Sequence, residues 1–229
     1  IPLDRIVTPE KAAENFQATF YKDIAGTWEI GRTNTSAVVL HILPDGRYAL
    51  GEADEADVTG QPGIEIGRLN WNALTSALSP EISVDTNGDY GLSHPDNDGH
   101  HRLSYNGTDL VLTDVGSNST YILTKVKQSS GLVGTWQFNQ THLFAFFDTG
   151  FYFLLDTEGD CDNPGIEYGK YSITSNTLAV TEVLYDTNGC GGLHDTSDSA
   201  KVNATYSISG TSLTLHLQGE DTFTLQRSN

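Results

Sequence analysis

Hydrophobic and polar residues alternate along most of this chain, a period of two that is typical of half-buried β-strands. In the first half, runs of β-branched and aromatic residues separated by turn residues predict eight strands, near residues 27–31, 36–43, 47–53, 63–72, 77–85, 101–106, 109–114 and 120–126. Pro44-Asp45-Gly46 and Asn106-Gly107 are tight-turn sequences that join neighbouring strands as hairpins. The pattern returns from Thr135 to Gln226. It predicts an all-β protein of up-and-down antiparallel barrels.

The first 23 residues follow a different period. Thr8 is a good N-cap residue, Pro9 suits the first helical turn, and Glu10 lies near the positive end of the helix dipole. The apolar residues then recur at helical spacing: Ala12, Ala13, Phe16, Phe20 and Tyr21. This spacing predicts a short helix over 9–22, with its aromatic face packed on a barrel.

The β-rich part of the chain is an internal repeat of about a hundred residues. Three motifs return in the same order with similar gaps: Gly26-Thr27-Trp28 as Gly134-Thr135-Trp136, 62–68 as 164–170, and Asp85-Thr86-Asn87-Gly88 as Asp186-Thr187-Asn188-Gly189. The repeat predicts two barrel domains, 24–128 and 129–229, after an N-terminal helical segment, 1–23. Each is near the size at which a single core becomes self-sufficient.

The charge of the chain narrows the possible partners. Its 229 residues include 30 acidic and 12 basic side chains, for a formal net charge of -18. Nucleic acids and anionic membrane surfaces would be repelled, whereas cations or a basic partner fit. The alternative is that the acidic excess only keeps a secreted protein soluble. The sequence contains no apolar run of the roughly 20 residues that a membrane helix needs.

Gly26-Thr27-Trp28 and its copy resemble the Gly-x-Trp signature of lipocalins and other calycins. The resemblance implies two tandem lipocalin-like, eight-stranded barrels of a ligand-binding type. The longer pattern of Leu-Pro-Asp-Gly, Gly-Gln-Pro-Gly-Ile-Glu, Trp-Asn and Asp-Thr-Asn-Gly is similar to tandem domains of secreted bacterial proteins without an established activity. This second resemblance implies an extracellular, cell-surface or periplasmic protein.

A meander places alternate connections at opposite ends of a barrel, so the long acidic loops 54–62 and 86–100 should share one rim. Alternation along the strands puts Glu52 and Glu65 on the core face at this rim, and Asp156 and Glu167 at the matching positions of the second repeat. A carboxylate on an apolar face is costly unless it is hydrogen-bonded, paired or bound to a metal.

Three explanations for these acids stay open. Glu65 and Glu167 accept hydrogen bonds from loop amides or pair with a base, as structural groups. Alternatively, the rim binds a cationic or polyhydroxylated ligand. As a third possibility, the rim acids bind a divalent cation, with calcium favoured, because Asp85, Asn87 and Asp89 alternate as the first ligands of an EF-hand do, although the rest of that pattern is missing. The candidate metal ligands are Asp85, Asn87, Asp89, Glu65, Glu52, Asp186, Asn188, Glu167, Asp156 and His94.

Two cysteines belong to the second repeat only. Cys161 lies in the loop that matches 54–62, and Cys190 takes the place of Asp89. Both should therefore project from the same rim, where a disulfide would close a loop of about 30 residues, worth roughly 3–4 kcal/mol. The alternative is two free thiols. The hypothesis is that a cation ties the rim loops in the first repeat where a disulfide does so in the second.

The sequence carries no nucleophile elbow, phosphate loop, His-Glu-x-x-His or dinucleotide fingerprint. We therefore expect a non-enzymatic binding protein that holds a divalent cation or a small ligand at the barrel rim. One alternative is a structural or adhesive cell-surface module. A further alternative is a glycosidase-type enzyme using the carboxylate pairs Glu52 with Glu65 and Asp156 with Glu167. Large inward side chains, including Trp28, predict filled barrels and favour binding at the rim over binding in an interior cavity.

Overall fold

The computed structural model describes residues 8–93, 101–159, 163–194, 203–217 and 222–228. The first half contains α1 (Pro9–Ile24), β1 (Gly26–Arg32), β2 (Ala37–Ile42), β3 (Arg47–Ala53), β4 (Gly63–Arg68), β5 (Glu81–Asp85), β6 (His101–Tyr105), β7 (Leu110–Asp114) and β8 (Ser119–Lys125). The second half contains β9 (Gly134–Phe138), β10 (His142–Phe146), β11 (Phe151–Asp156), β12 (Gly165–Thr174), β13 (Thr177–Asp186), β14 (Asn203–Ser209), β15 (Ser212–Leu217) and β16 (Thr222–Ser228).

Helix α1 begins as the sequence predicts and runs two residues further. The Thr8 hydroxyl accepts a hydrogen bond from the Lys11 amide at 3.2 Å, and Pro9 occupies the first helical position. Phe20 stacks on Trp71 with ring centroids 3.8 Å apart. Because the ring of Tyr21 packs against Gly46, the helix covers the end of the first repeat that carries the 44–46 turn. No helix in the described part of the chain is long and apolar enough to span a membrane.

Both repeats are eight-stranded antiparallel sheets, which confirms the predicted all-β fold. The second repeat is a closed barrel with the order β10-β11-β12-β13-β14-β15-β16-β9. The first has the order β5-β4-β3-β2-β1-β8-β7-β6, and its edge strands β5 and β6 are not paired with each other. It is therefore a half-barrel.

The first repeat stays open because β4 and β5 are shorter than the sequence predicts. Residues 69–72 and 77–80 were expected to extend β4 and β5, but β4 ends at Arg68 and β5 begins at Glu81. Asn70 and Ser76 adopt φ of 45° and 60°, which a continuous strand excludes. The intervening segment reaches β6 instead, where Ala77 forms a bridge with Arg102. In the second repeat, β12 and β13 continue to a tight hairpin at Thr174 and Thr177.

The cores of the two repeats are built around equivalent tryptophans. The Trp28 indole donates to the carbonyl of Ile24 at 2.8 Å, and the Trp136 indole donates to the carbonyl of Leu132 at 2.7 Å. Both rings are fully buried. The repeated Gly-Thr-Trp sequence thus marks the same packing position twice.

The two repeats pack against each other through the outer faces of their sheets. Strands β2, β3 and β4 of the first repeat meet β10, β11 and β12 of the second. The buried residues of this contact are Ala37, Val39, Ala49, Ala53, Ile64, Val126, Leu143, Ala145, Phe147, Phe153, Leu155, Ile166 and Tyr168. These strands are apolar on both faces because one face fills a barrel and the other fills the contact between repeats.

Candidate functional site

The two long loops of the first repeat lie side by side at one end of the half-barrel, as the meander predicts. Gly60 and Gly88 form an isolated antiparallel bridge, and the Asp89 amide donates to the Thr59 carbonyl at 3.0 Å. The hydroxyl of Tyr90 donates to the carbonyl of Glu55 at 2.8 Å. We call this end, formed by residues 54–62 and 86–93 and the adjoining strand ends, the rim.

Glu65 fastens the rim to the barrel interior. Its side chain is fully buried. Oε1 accepts hydrogen bonds from the Tyr48 hydroxyl at 2.5 Å and the Leu92 amide at 3.2 Å, and Oε2 accepts one from the Ser93 amide at 2.9 Å. This is the arrangement expected if Glu65 is a structural acceptor for loop amides.

Glu167 repeats this arrangement in the second repeat. The Tyr152 hydroxyl donates to Oε1 at 2.5 Å, and the amides of Leu193 and His194 donate to Oε2 at 3.0 and 3.1 Å. Burial raises the pKa of Glu167 to about 8; the hydrogen bond from Tyr152 opposes that shift and the charge of Asp186 adds to it. His194 thus matches Ser93 in position.

The second pair of predicted acids differs between the repeats. Val38 lies opposite Glu52 on the neighbouring strand, and burial, followed by the charges of Asp54 and Glu65, raises the pKa of Glu52 to about 7. His142 lies opposite Asp156, with Nε2 3.5 Å from Oδ1. Burial raises the pKa of Asp156 less than its hydrogen bonds, first that to His142, lower it, so the net shift is downward.

Glu52 lines a cavity of about 380 Å³ inside the first repeat. Its apolar wall comes from six strands: Ile30, Val38, Leu40, Leu50, Leu103, Leu112, Tyr121 and Leu123. Its polar residues lie at the rim end: Ser36, Glu52, Asp54, Asp89, Tyr90, His101 and Asp114. The expectation of a filled interior is therefore wrong for the first repeat.

The corresponding space in the second repeat is smaller, about 220 Å³. The strand registers align the two repeats, because Trp28 lies opposite Leu40 and Trp136 lies opposite Phe144. Three inward positions carry larger side chains in the second repeat: Phe138, His142 and Phe144 replace Ile30, Val38 and Leu40. The difference in volume therefore follows from inward positions at which the two repeats carry different residues.

The residues at the rim end of the cavity also differ in polarity between the two repeats. His101 pairs with Asp114 across β6 and β7, whereas Ala204 pairs with Leu217 at the matching place in the second repeat. The first repeat therefore has a polar entrance at positions where the second repeat is apolar. A comparison of the two copies by strand register would have identified these positions in the sequence.

The side chains predicted as metal ligands form separate hydrogen bonds with different partners. Asp85 accepts from the Gly88 amide at 3.1 Å and from the Ser93 hydroxyl at 3.2 Å, and Asp186 bonds the ring of His194 at 2.8 Å. Among the described residues, no three His, Cys, Asp or Glu side chains are grouped so that they could hold a metal ion. His94 lies outside the described residues.

The predicted asparagines are both buried at the base of the rim loops. The Asn188 amide nitrogen donates to the carbonyl of Gly191 at 2.7 Å. Several buried polar atoms have no hydrogen-bond partner among the described atoms: Asn87 Oδ1 and Nδ2, Asn188 Oδ1 and Asp156 Oδ2. Such atoms are candidates for binding an ordered water or an ion.

Of the two cysteines, Cys161 lies outside the described residues. Cys190 lines the small second cavity and is not a free thiol. The pairing of Cys161 with Cys190 stays a prediction.

The chain matches no protein-family model. It also has no significant match among curated proteins.

Proposed function

We propose that this is a non-enzymatic binding protein whose first repeat holds a small organic ligand inside the half-barrel. The observation that carries the proposal is the cavity of about 380 Å³, because ligand pockets generally occupy about 300–1,000 Å³. It combines an apolar wall with polar groups gathered at one end, the usual composition of a small-molecule site. The second repeat, with its smaller cavity, supports the first repeat through their shared apolar contact.

The roles of the buried glutamates support binding over catalysis. Glu65 and Glu167 each accept three hydrogen bonds from a tyrosine hydroxyl and two loop amides. A glycosidase would need both members of a rim pair, one to donate a proton and the other to act as base or nucleophile. Carboxylates held in this way fit a structural role, and Glu52 is the member of the first pair that lines the cavity.

Secretion and a disulfide between Cys161 and Cys190 belong to the same proposal. The acidic excess of the chain and its resemblance to tandem domains of secreted bacterial proteins support an extracellular, cell-surface or periplasmic location. That location would allow a disulfide to form and persist. The paired cysteines would hold the rim of the second repeat.

Fluorescence titration with N-phenyl-1-naphthylamine, an uncharged apolar dye, tests the binding proposal. We expect saturable enhancement by the full chain. Leu40→Phe, which introduces the residue found at Phe144, should weaken binding at least about ten-fold by filling the cavity. Ile122→Phe, on an exposed position, is the matched control and should bind as the unmodified chain does. Unsaturable binding, or equal binding by Leu40→Phe, would contradict an interior site.

A second candidate is a calcium ion at the end of the second repeat that matches the rim, and the buried unpartnered oxygens of Asp156 and Asn188 favour it. Oxygen ligands are those that calcium prefers. Calorimetric melting with added calcium and with EDTA tests this candidate, with Asp156→Asn as the variant. A melting temperature that responds to neither reagent would assign these oxygens to ordered water.

A further inference from the structure

We propose that the ligand of the first repeat is a small organic cation, an amine whose apolar body lies among the leucines while its ammonium group lies beside Glu52. This inference rests on the proposed function and names the class of ligand. It is based on the position of the apolar cavity wall directly beside the acidic rim.

The acids of the cavity lie at one end, and its described lining residues include no Lys or Arg. Four carboxylates line the rim end: Glu52, Asp54, Asp89 and Asp114. The opposite part of the wall is aliphatic. An elongated ligand with one charged end and one apolar end would match both surfaces at once, whereas a carboxylate or phosphate ligand would meet charge of its own sign.

Glu52 is the carboxylate placed furthest into the apolar wall. Its cross-strand neighbour is Val38, and Leu50, two positions earlier on the same strand face, also lines the cavity. Burial disfavours its ionised form, the charges of Asp54 and Glu65 add repulsion, and a hydrogen bond from the Gly91 amide opposes both effects. An ammonium group beside Glu52 would offset that repulsion and gain a charge-assisted hydrogen bond in a partly desolvated place.

The second repeat shows the same position with a histidine partner built in. There, Asp156 faces His142 in place of valine. The protein therefore places a histidine beside this acid in the repeat with the smaller cavity and leaves the acid facing the cavity in the other. A ligand cation in the first repeat would take the place that His142 occupies in the second.

The other rim groups also favour a cation. Asp114 accepts hydrogen bonds from the Ser117 hydroxyl at 2.8 Å and the Gly116 amide at 2.8 Å, which lower its pKa and keep it negatively charged. The rings of Tyr90 and Tyr121 line the cavity and offer aromatic faces of the kind that attract ammonium groups.

Displacement of N-phenyl-1-naphthylamine from the full chain tests this inference with three matched six-carbon competitors. Hexylamine is cationic at pH 7.5, hexan-1-ol is neutral, and hexanoate is anionic. We expect hexylamine to displace the dye at concentrations about ten-fold lower than hexan-1-ol, and hexanoate to be the weakest. Added salt should reduce the advantage of hexylamine.

Glu52→Gln should retain the dye but lose the preference for hexylamine over hexan-1-ol. Glu55→Gln removes a rim acid that does not line the cavity and should keep the preference. If the dye binds but hexan-1-ol or hexanoate competes as well as hexylamine, the cationic class is wrong and the interior site stands. A preference that survives Glu52→Gln would overturn the assigned position of the ammonium group. If the dye does not bind, the proposed function itself fails.

Discussion

The hydroxyl of Tyr152 donates a hydrogen bond of 2.5 Å to Oε1 of Glu167, and the hydroxyl of Tyr48 makes the same bond to Glu65. In each repeat the carboxylate also accepts two amides from the loop after Asp-Thr-Asn-Gly. The tyrosine is held by a barrel strand, so the pair connects the loop to the core. The residues that the two repeats share thus form the same hydrogen bonds, which attach the loop to the barrel core in each repeat.

We predict that Tyr152→Phe lowers the free energy of unfolding by about 1–3 kcal/mol, because it keeps the ring but leaves the buried Oε1 of Glu167 without its hydrogen-bond donor. Urea unfolding measures this change. Tyr105→Phe is the control, since its hydroxyl donates to the Gly107 carbonyl in an exposed turn, and its cost should stay below about 1 kcal/mol. Equal losses of stability in the two variants would mean that the buried hydrogen bond of Tyr152 stabilises the protein no more than the exposed one of Tyr105.

The pH dependence of stability should reveal the buried acids. Burial raises the pKa of Glu167 to about 8 in the folded protein, from an ordinary value of 4.5. The folded state therefore holds a proton that the unfolded state has released between these values, so this contribution to stability is full below about pH 4.5 and is lost as pH rises towards 8. Glu52, raised to about 7, acts in the same direction.

We expect the free energy of unfolding to decline from pH 5 to 8, and Glu167→Gln to flatten that decline. Urea unfolding at several pH values gives the slope for each protein. Glu158→Gln, with a carboxylate that is not buried, is the control and should keep the original slope. A Glu167→Gln protein with an unchanged slope would show that Glu167 binds its proton equally in both states.

Much of the fold follows from local patterns in the sequence. Alternation predicts the strands well, and Thr8-Pro9 fixes the start of the helix. The half-barrel does not follow, because residues 69–80 contain apolar residues at strand spacing and leave the sheet only through the positive φ of Asn70 and Ser76. Between them, Trp71 stacks on Phe20 of the helix, a long-range contact that local patterns do not encode.

The candidate site was predictable in part. Alternation places Glu52 and Glu65 on the core face at the rim, but it does not show that the two side chains have different roles. Their difference depends on which loop amides reach Glu65 and on Val38 lying opposite Glu52, and both are long-range relations. The cavity was not anticipated, since its volume is set by side chains contributed by six strands.

We predict that the purified chain contains no titratable thiol until it is reduced, because Cys161 and Cys190 form a disulfide. Thiol labelling followed by mass spectrometry, with and without reductant, measures this. Cys190→Ser should lower the free energy of unfolding by roughly 3–4 kcal/mol, the entropy of a loop of about 30 residues. Cys161→Ser should cost the same, and the double variant no more. Additive losses would indicate that the two cysteines act separately.

The contact between repeats depends on a glycine in β3. A Cβ atom on Gly51 would lie within 3 Å of side-chain atoms of Leu155, Phe153 and Ile166 in the second repeat. Gly51→Ala should therefore push the two sheets apart and cost about 1–3 kcal/mol. Calorimetry should show a lower melting temperature, with the transition broadening or dividing as the repeats lose their coupling. Gly131→Ala is the control, because its nearest neighbour outside the adjoining residues is 3.7 Å away, and it should melt as the unmodified chain does. If Gly51→Ala leaves the transition unchanged, the packing of the two repeats contributes little to their stability.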